Sequence, residues 1–184
     1  IGLVGSEMCI RDSITGEYIP TETLCEQFVD ECQVESDLEL LLPATYVTGS
    51  SERMLLYREL DSLTLDKDVE AFRNRLIDRF GPVPSETEEL LRIVPLRRLA
   101  ARLGAEKVFL KGGRMSLFFI SNPESPYYQS QAFGKVIAYM MKYTRRCDLR
   151  EQNTRRSMLV KDVKNVETAV GVLQEIVAMQ VEEG

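Results

Sequence analysis

Apolar and polar residues alternate from Gln33 to Leu42, with Val34, Leu38, Leu40 and Leu42 set against Glu35, Asp37 and Glu39. A period of two predicts a strand with one buried face, and Pro43 ends it. The period then changes. Gly49, Ser50 and Ser51 offer the start of a helix carrying Met54, Leu55, Tyr57 and Leu60. Val69, Phe72, Leu76, Ile77 and Phe80 form one stripe over Asp66 to Phe80, and Gly81-Pro82 stops that helix.

Ser85 and Glu88 form a capping-box pattern ahead of Leu90, Leu91 and Val94, and the series resumes at Leu96, Leu99, Ala100 and Leu103. Pro95 interrupts this run and is expected to kink or split it, at a cost of ~3 kcal/mol in a straight helix interior. Glu106–Leu110 and Met115–Ile120 flank Lys111-Gly112-Gly113-Arg114 and predict a hairpin with a Gly-Gly turn. Pairs of apolar residues every four positions predict a helix from Tyr127 to Met141. Arg146–Glu151 and Arg156–Asp162 predict a second hairpin around Asn153-Thr154, and a last helix follows from about Lys164 to Gln180. Strands therefore come in hairpins more often than they alternate with helices. The expected class is α+β, with helices packed on a mostly antiparallel sheet built largely from hairpins.

The first 13 residues, IGLVGSEMCIRDS, show neither period and resemble non-native lead sequence. Residues 14–32 are acidic and contain Pro20, with a possible capping box at Thr23 and Glu26, so they are expected to link residues 33–182 to something upstream. Charge sharpens this division. Residues 1–60 hold 12 acids and 3 bases, whereas 61–184 hold 17 and 20. A net charge of −6 argues against nucleic-acid binding by the whole surface but leaves a local basic stripe open.

The 184 residues include no histidine, which excludes Ser-His-Asp and Cys-His catalytic sets and His-ligated zinc within the chain. Cys9, Cys25, Cys32 and Cys147 form no Cys-x-x-Cys pair, so a thiolate zinc cluster is not expected. In a continuous helix Cys25 and Cys32 would stand two turns apart, about 10 Å, too far for a disulfide. With no apolar run of membrane length, the expected setting is cytoplasmic, with reduced thiols. Gly134-Lys135 fails as a phosphate loop, because the positions needing Gly and Ser or Thr hold Gln129 and Val136. Close helix packing is the plainer role for Gly134.

Two surfaces remain as candidate sites. Arg75, Asp78 and Arg79 lie off the apolar stripe of their helix, beside a fixed Gly-Pro turn, where they form either a solvated face or a rigid docking surface. Lys142, Arg145, Arg146, Arg150, Arg155 and Arg156 form a basic stripe that either contacts phosphates or pairs with neighbouring acids. Tyr127 and Tyr128, next to Pro126, either stack on a base or anchor a loop.

A resemblance narrows the choice. The series Val34 to Leu42, Pro43, Tyr46-Val47, Ser51-Glu52-Arg53, Leu56-Tyr57-Arg58-Glu59-Leu60 and Leu76-Ile77-Asp78-Arg79-Phe80-Gly81-Pro82-Val83-Pro84 is similar to the C-terminal (TRCF) domain of transcription-repair coupling factors, the Mfd family. Leu96-Arg97-Arg98-Leu99, Leu103-Gly104 and Lys107-Val108 continue it in order, over about residues 30 to 180. The resemblance implies a non-catalytic regulatory fragment of an ATP-dependent DNA translocase acting in transcription-coupled excision repair. ATP and Mg would belong to the parent's upstream motor, and this fragment would hold no cofactor. Its implied partner is the parent's UvrB-like module, whose UvrA-binding surface it would mask; RNA polymerase is an indirect partner, DNA is reached through the motor, and no membrane is involved. Asp78 falls on an acidic contact of the family, while Arg75 stands where members carry glutamate. The alternative is an accessory nucleic-acid contact through the 142–156 stripe.

Overall fold

The computed structural model describes residues 28–181. The expectations for 1–13, for 14–27 and for Cys9 and Cys25 therefore lie outside the described residues. Packing reaches back to Phe28, whose ring meets Tyr127 edge-on at 5.5 Å, and Val29 and Cys32 are buried.

Strand β1 (Gln33–Ser36) is shorter than the alternation to Leu42 predicts. Its parallel partner β2 (Ala105–Lys111) runs out at the Gly112-Gly113 turn, so no ladder remains beyond Ser36 paired with Leu110. Asp37 closes the end: its N–H donates to Leu110 O at 3.1 Å, and its carboxylate accepts from Gly112 N at 3.0 Å. Beyond it the backbone is satisfied by side chains instead. Leu42 N–H donates to the Tyr57 hydroxyl at 2.7 Å, and Thr87 Oγ1 donates to Leu41 O at 2.9 Å.

Three helices follow: α1 (Ser50–Ser62), α2 (Asp66–Phe80) and α3 (Ser85–Arg102). Helix α2 stops at Gly81 (φ 89°), and Tyr46 Oη bonds the carbonyl oxygens of Leu76 and Gly81 at 3.2 and 2.8 Å. The capping box expected at Ser85 and Glu88 does not form, because Glu88 takes Arg73 in a fork at 2.7–3.2 Å instead. A charged fork is stronger than a neutral cap bond. Nor does Pro95 split α3. The helix runs through it, with Leu91 and Val94 buried in one apolar cluster and Leu96, Leu99 and Ala100 in another. Burial on both sides of the proline offsets the lost backbone bond.

The sheet order is β1-β2-β3-β5-β4, with β3 (Arg114–Phe119), β4 (Cys147–Gln152) and β5 (Arg155–Val160). Among the described strands only β1 with β2 is parallel; the other pairings are antiparallel, as an α+β sheet of hairpins requires. Both hairpin turns place two successive residues at positive φ, Gly112-Gly113 and Asn153-Thr154, the signature of the twist-compatible type I′ turn. The helix expected from Tyr127 divides into a 3-10 turn (Pro126–Gln129) and α4 (Gln131–Lys142), because Ser130 Oγ accepts from Phe133 N as an N-cap. Helix α5 (Val166–Ala178) starts at the cap Asn165, and Glu89 of α3 also accepts from Val166 N at 2.5 Å.

Val108, Leu110, Met115, Leu117, Met158 and Val160 point to the covered face of the sheet, under α3, α4 and α5. A second cluster, holding Leu56, Leu60, Phe72 and Leu76, packs α1 and α2 against the first half of α3. Burial pushes the Cys32 thiol up to about 12 and the Cys147 thiol up to about 11. At pH 8 both are neutral, and a thiolate is the reacting form. Iodoacetamide is expected to spare both in the native chain and label both in urea; native labelling within minutes, mapped by mass spectrometry, would contradict their placement.

Candidate functional site

Helices α1 and α2 form an antiparallel hairpin bonded across its surface by charge. Arg79, late in α2, pairs with Glu52, early in α1, and Arg75 pairs with Glu59. The spacing dictates this. Glu52 and Glu59 are seven apart, Arg75 and Arg79 four apart, so each pair lines one helix face. The guanidinium groups also lie over aromatic rings of their own helix, Arg75 at 5.5 Å from the Phe72 centroid and Arg79 at 4.9 Å from that of Phe80. Both side chains remain more than half exposed, at 57% and 59%, so their ion pairs contribute little stability but neutralise the face.

Asp78 is exposed beside them, and among the described residues no cation pairs with it. Arg73 is taken up by Glu88, whose hydrogen bond raises the Arg73 pKa further. In the second half of α2, then, Asp78 is the charge left for a partner. The structure brings Arg75, Asp78 and Arg79 onto one helical face, as their spacing implies. Glu52 and Glu59 belong to the site too. The seven-residue spacing of two acids opposite two arginines was the available signal, but it becomes legible only once the two helices are known to be antiparallel. Leu55 on α1 is 63% exposed and provides apolar area on the outer side of that helix.

The basic stripe is not brought together. Arg155 and Arg156 are adjacent in β5, so their side chains leave opposite faces of the sheet. Arg155 lies over Phe118 and bonds Glu106 at 3.0 Å, whereas Arg156 lies over Tyr128 at 4.5 Å and faces Glu151. Arg146 donates to the carbonyls of Lys161 and Asp162. Lys142 meets Glu175 at 3.4 Å, and the Tyr143 hydroxyl that also binds Glu175 holds that carboxyl below its usual range. Arg145 and Arg150 have no ion pair among the described residues. Acids pair with three of the six stripe residues, Lys142, Arg155 and Arg156.

Tyr127 is fully buried at the centre of an aromatic group with Phe28, Phe119 and Phe133, and its hydroxyl donates to Leu103 O at 2.5 Å. Tyr128 donates to Ile120 O. Both tyrosines anchor the loop. A Cβ on Gly134 would lie 3.2 Å from Val181, so that glycine serves close packing. Among the described residues no group of three or more Cys, Asp or Glu is placed to hold a metal ion, and no helix is long and apolar enough to cross a membrane.

Comparison with known proteins matches residues 36–130 to the TRCF domain model, a range containing the whole α1–α3 unit. The transcription-repair-coupling factor of Rickettsia bellii is 28% identical over 144 residues, covering 77% of this chain and 11% of that protein. That of Staphylococcus haemolyticus is 26% identical over 121 residues, covering 62% and 10%. The chain thus spans about a tenth of the length of these relatives. A crystal structure described as the C-terminal domain of transcription-repair coupling factor superposes with a TM-score of 0.62 at 18% identity, covering 80% of this chain and 93% of that one. That likeness bears out the α+β fold.

Proposed function

The chain belongs to the TRCF domain family, and from that premise we propose that it is the C-terminal regulatory part of a transcription-repair coupling factor, a brake that docks on another module of the same parent. The domain supplies no chemistry. Its contribution is a contact that holds in the resting parent and is lost when RNA polymerase and DNA engage. Such a contact needs to favour the closed state by only a few kcal/mol to remain reversible. The docked module in this reading is the UvrB-like one, and docking hides its UvrA-binding surface.

The observation that carries the reading is the charge arrangement on α2. Arg75 and Arg79 are neutralised by Glu59 and Glu52, which leaves Asp78 exposed and unpaired among the described residues to meet a basic partner. Arg75, although it replaces the acid the family carries, adds no net positive charge because Glu59 absorbs it. The face stays complementary to a basic surface.

The test is calorimetric titration of this chain against the UvrB-like module of its parent at two salt concentrations. The expected result is salt-sensitive binding weakened at least about tenfold by Asp78→Lys, which replaces attraction by like-charge repulsion. In the intact parent the same change is expected to raise basal ATPase and UvrA binding. Unchanged values for both would defeat the proposal.

A further inference from the structure

A cavity of about 750 Å³ opens where the two apolar clusters meet, a size in the range of small-molecule sites. The C-terminal half of α3 supplies Arg97, Arg98 and Arg102 to one wall, and Lys135 of α4 faces it from another. Successive positions i, i+1 and i+5 of one helix put the three arginines on a single side. Arg98 is committed. It forks onto Asp66 with two bonds of 2.9 Å and also reaches Thr64 O, tying α3 to the start of α2. Arg97 and Lys135 are half-buried and Arg102 is exposed, and among the described residues none of the three has an ion pair or hydrogen bond.

Three cations that line one cavity, with no ion pair or hydrogen bond among the described residues, offer charge-assisted bonds to an anion. The lining carboxylates Asp30, Glu31 and Asp61 leave these cations unpaired. Between them lies an apolar floor that includes Val94, Ala101 and Ala132. Burial dominates the raised Cys32 thiol, but Arg97 pulls it down, so the guanidinium field reaches the cavity wall. The geometry points to a binding site for a compact phosphate-bearing small molecule, with Arg97, Arg102 and Lys135 on its phosphate oxygens. Because Val94 belongs to the α1–α3 cluster and Ala101 and Ala132 to the sheet cluster, such a ligand bridges the two halves of the domain.

The experiment is calorimetric titration of the full chain with pyrophosphate and, in a separate arm, with ADP. The expected result is saturable binding with Kd below about 1 mM, weakened at least about tenfold by the double variant Arg97→Gln/Lys135→Gln and unchanged by Arg150→Gln. Circular dichroism confirms that each variant keeps its fold, so a loss of binding reports the site itself. Tighter binding of ADP than of pyrophosphate identifies a nucleotide as the phosphate source, and equal affinity identifies the bare anion. Absence of saturation by both probes, or binding that the double variant leaves intact, overturns the proposal.

Discussion

Gly104→Ala is expected to destabilise the chain by about 3–5 kcal/mol, combining the strain of a β-carbon at positive φ with overpacking of a filled core. Gly104 makes the turn from α3 into β2 at φ 83°, and a Cβ there would lie 2.1 Å from Cε1 of Tyr127. That ring has no room to yield. Tyr127 is fully buried against Phe119 and Phe133, and its hydroxyl is fixed to Leu103 O, the residue before the glycine. Burial raises the Tyr127 pKa, so this bond is made by the neutral phenol across ordinary pH. Urea denaturation measures the effect, and a loss below about 1 kcal/mol would mean that the turn relaxes around the new methyl.

The second large effect is expected at Phe72→Ala, at about 3–5 kcal/mol for a buried phenyl ring. Phe72 is 1% exposed and belongs to the cluster that joins α1, α2 and the first half of α3. This cluster is separate from the one beneath the sheet. The damage is therefore expected to be local: amides of α1 and α2 exchange much faster, while those of β2, β3 and β5 keep most of their protection. Hydrogen exchange by mass spectrometry reads both halves at once. Because the proposed docking face is carried on the same two helices, the variant is also expected to lose affinity for the UvrB-like module, even though Asp78 itself is untouched. Uniform loss of protection would show instead that the two clusters unfold as one.

Local sterics made much of this legible in the sequence. The stripe over Asp66–Phe80, the stop at Gly81, the turn at Gly112-Gly113 and the hairpin at Asn153-Thr154 each follow from periodicity and backbone preference within a few residues. The anchoring role of Tyr127 was one of two readings its neighbours allowed. The resemblance to TRCF domains rested on motifs inside these same local elements.

What misled the pattern came from residues far apart in the chain. Leu38, Leu40 and Leu42 alternate as a strand should, yet β2 ends at its own turn, and Tyr57 and Thr87 take over the backbone bonds of the segment. Glu88 reads as a cap until Arg73 competes for it. The arginines of residues 142–156 read as one stripe until strand pairing sends Arg155 and Arg156 to opposite faces.

The sequence by itself determined the elements, their class and the absence of histidine chemistry, because covalent geometry and periodicity act over a few residues. Only the tertiary structure decided which charges remain unpaired. Among the described residues Asp78 is unpaired because Glu52 and Glu59 have taken the neighbouring arginines, and Arg97 has no ion pair while its neighbour Arg98 is held by Asp66. Ion pairing depends on distance in space, and the chain sets that distance only when the helices pack.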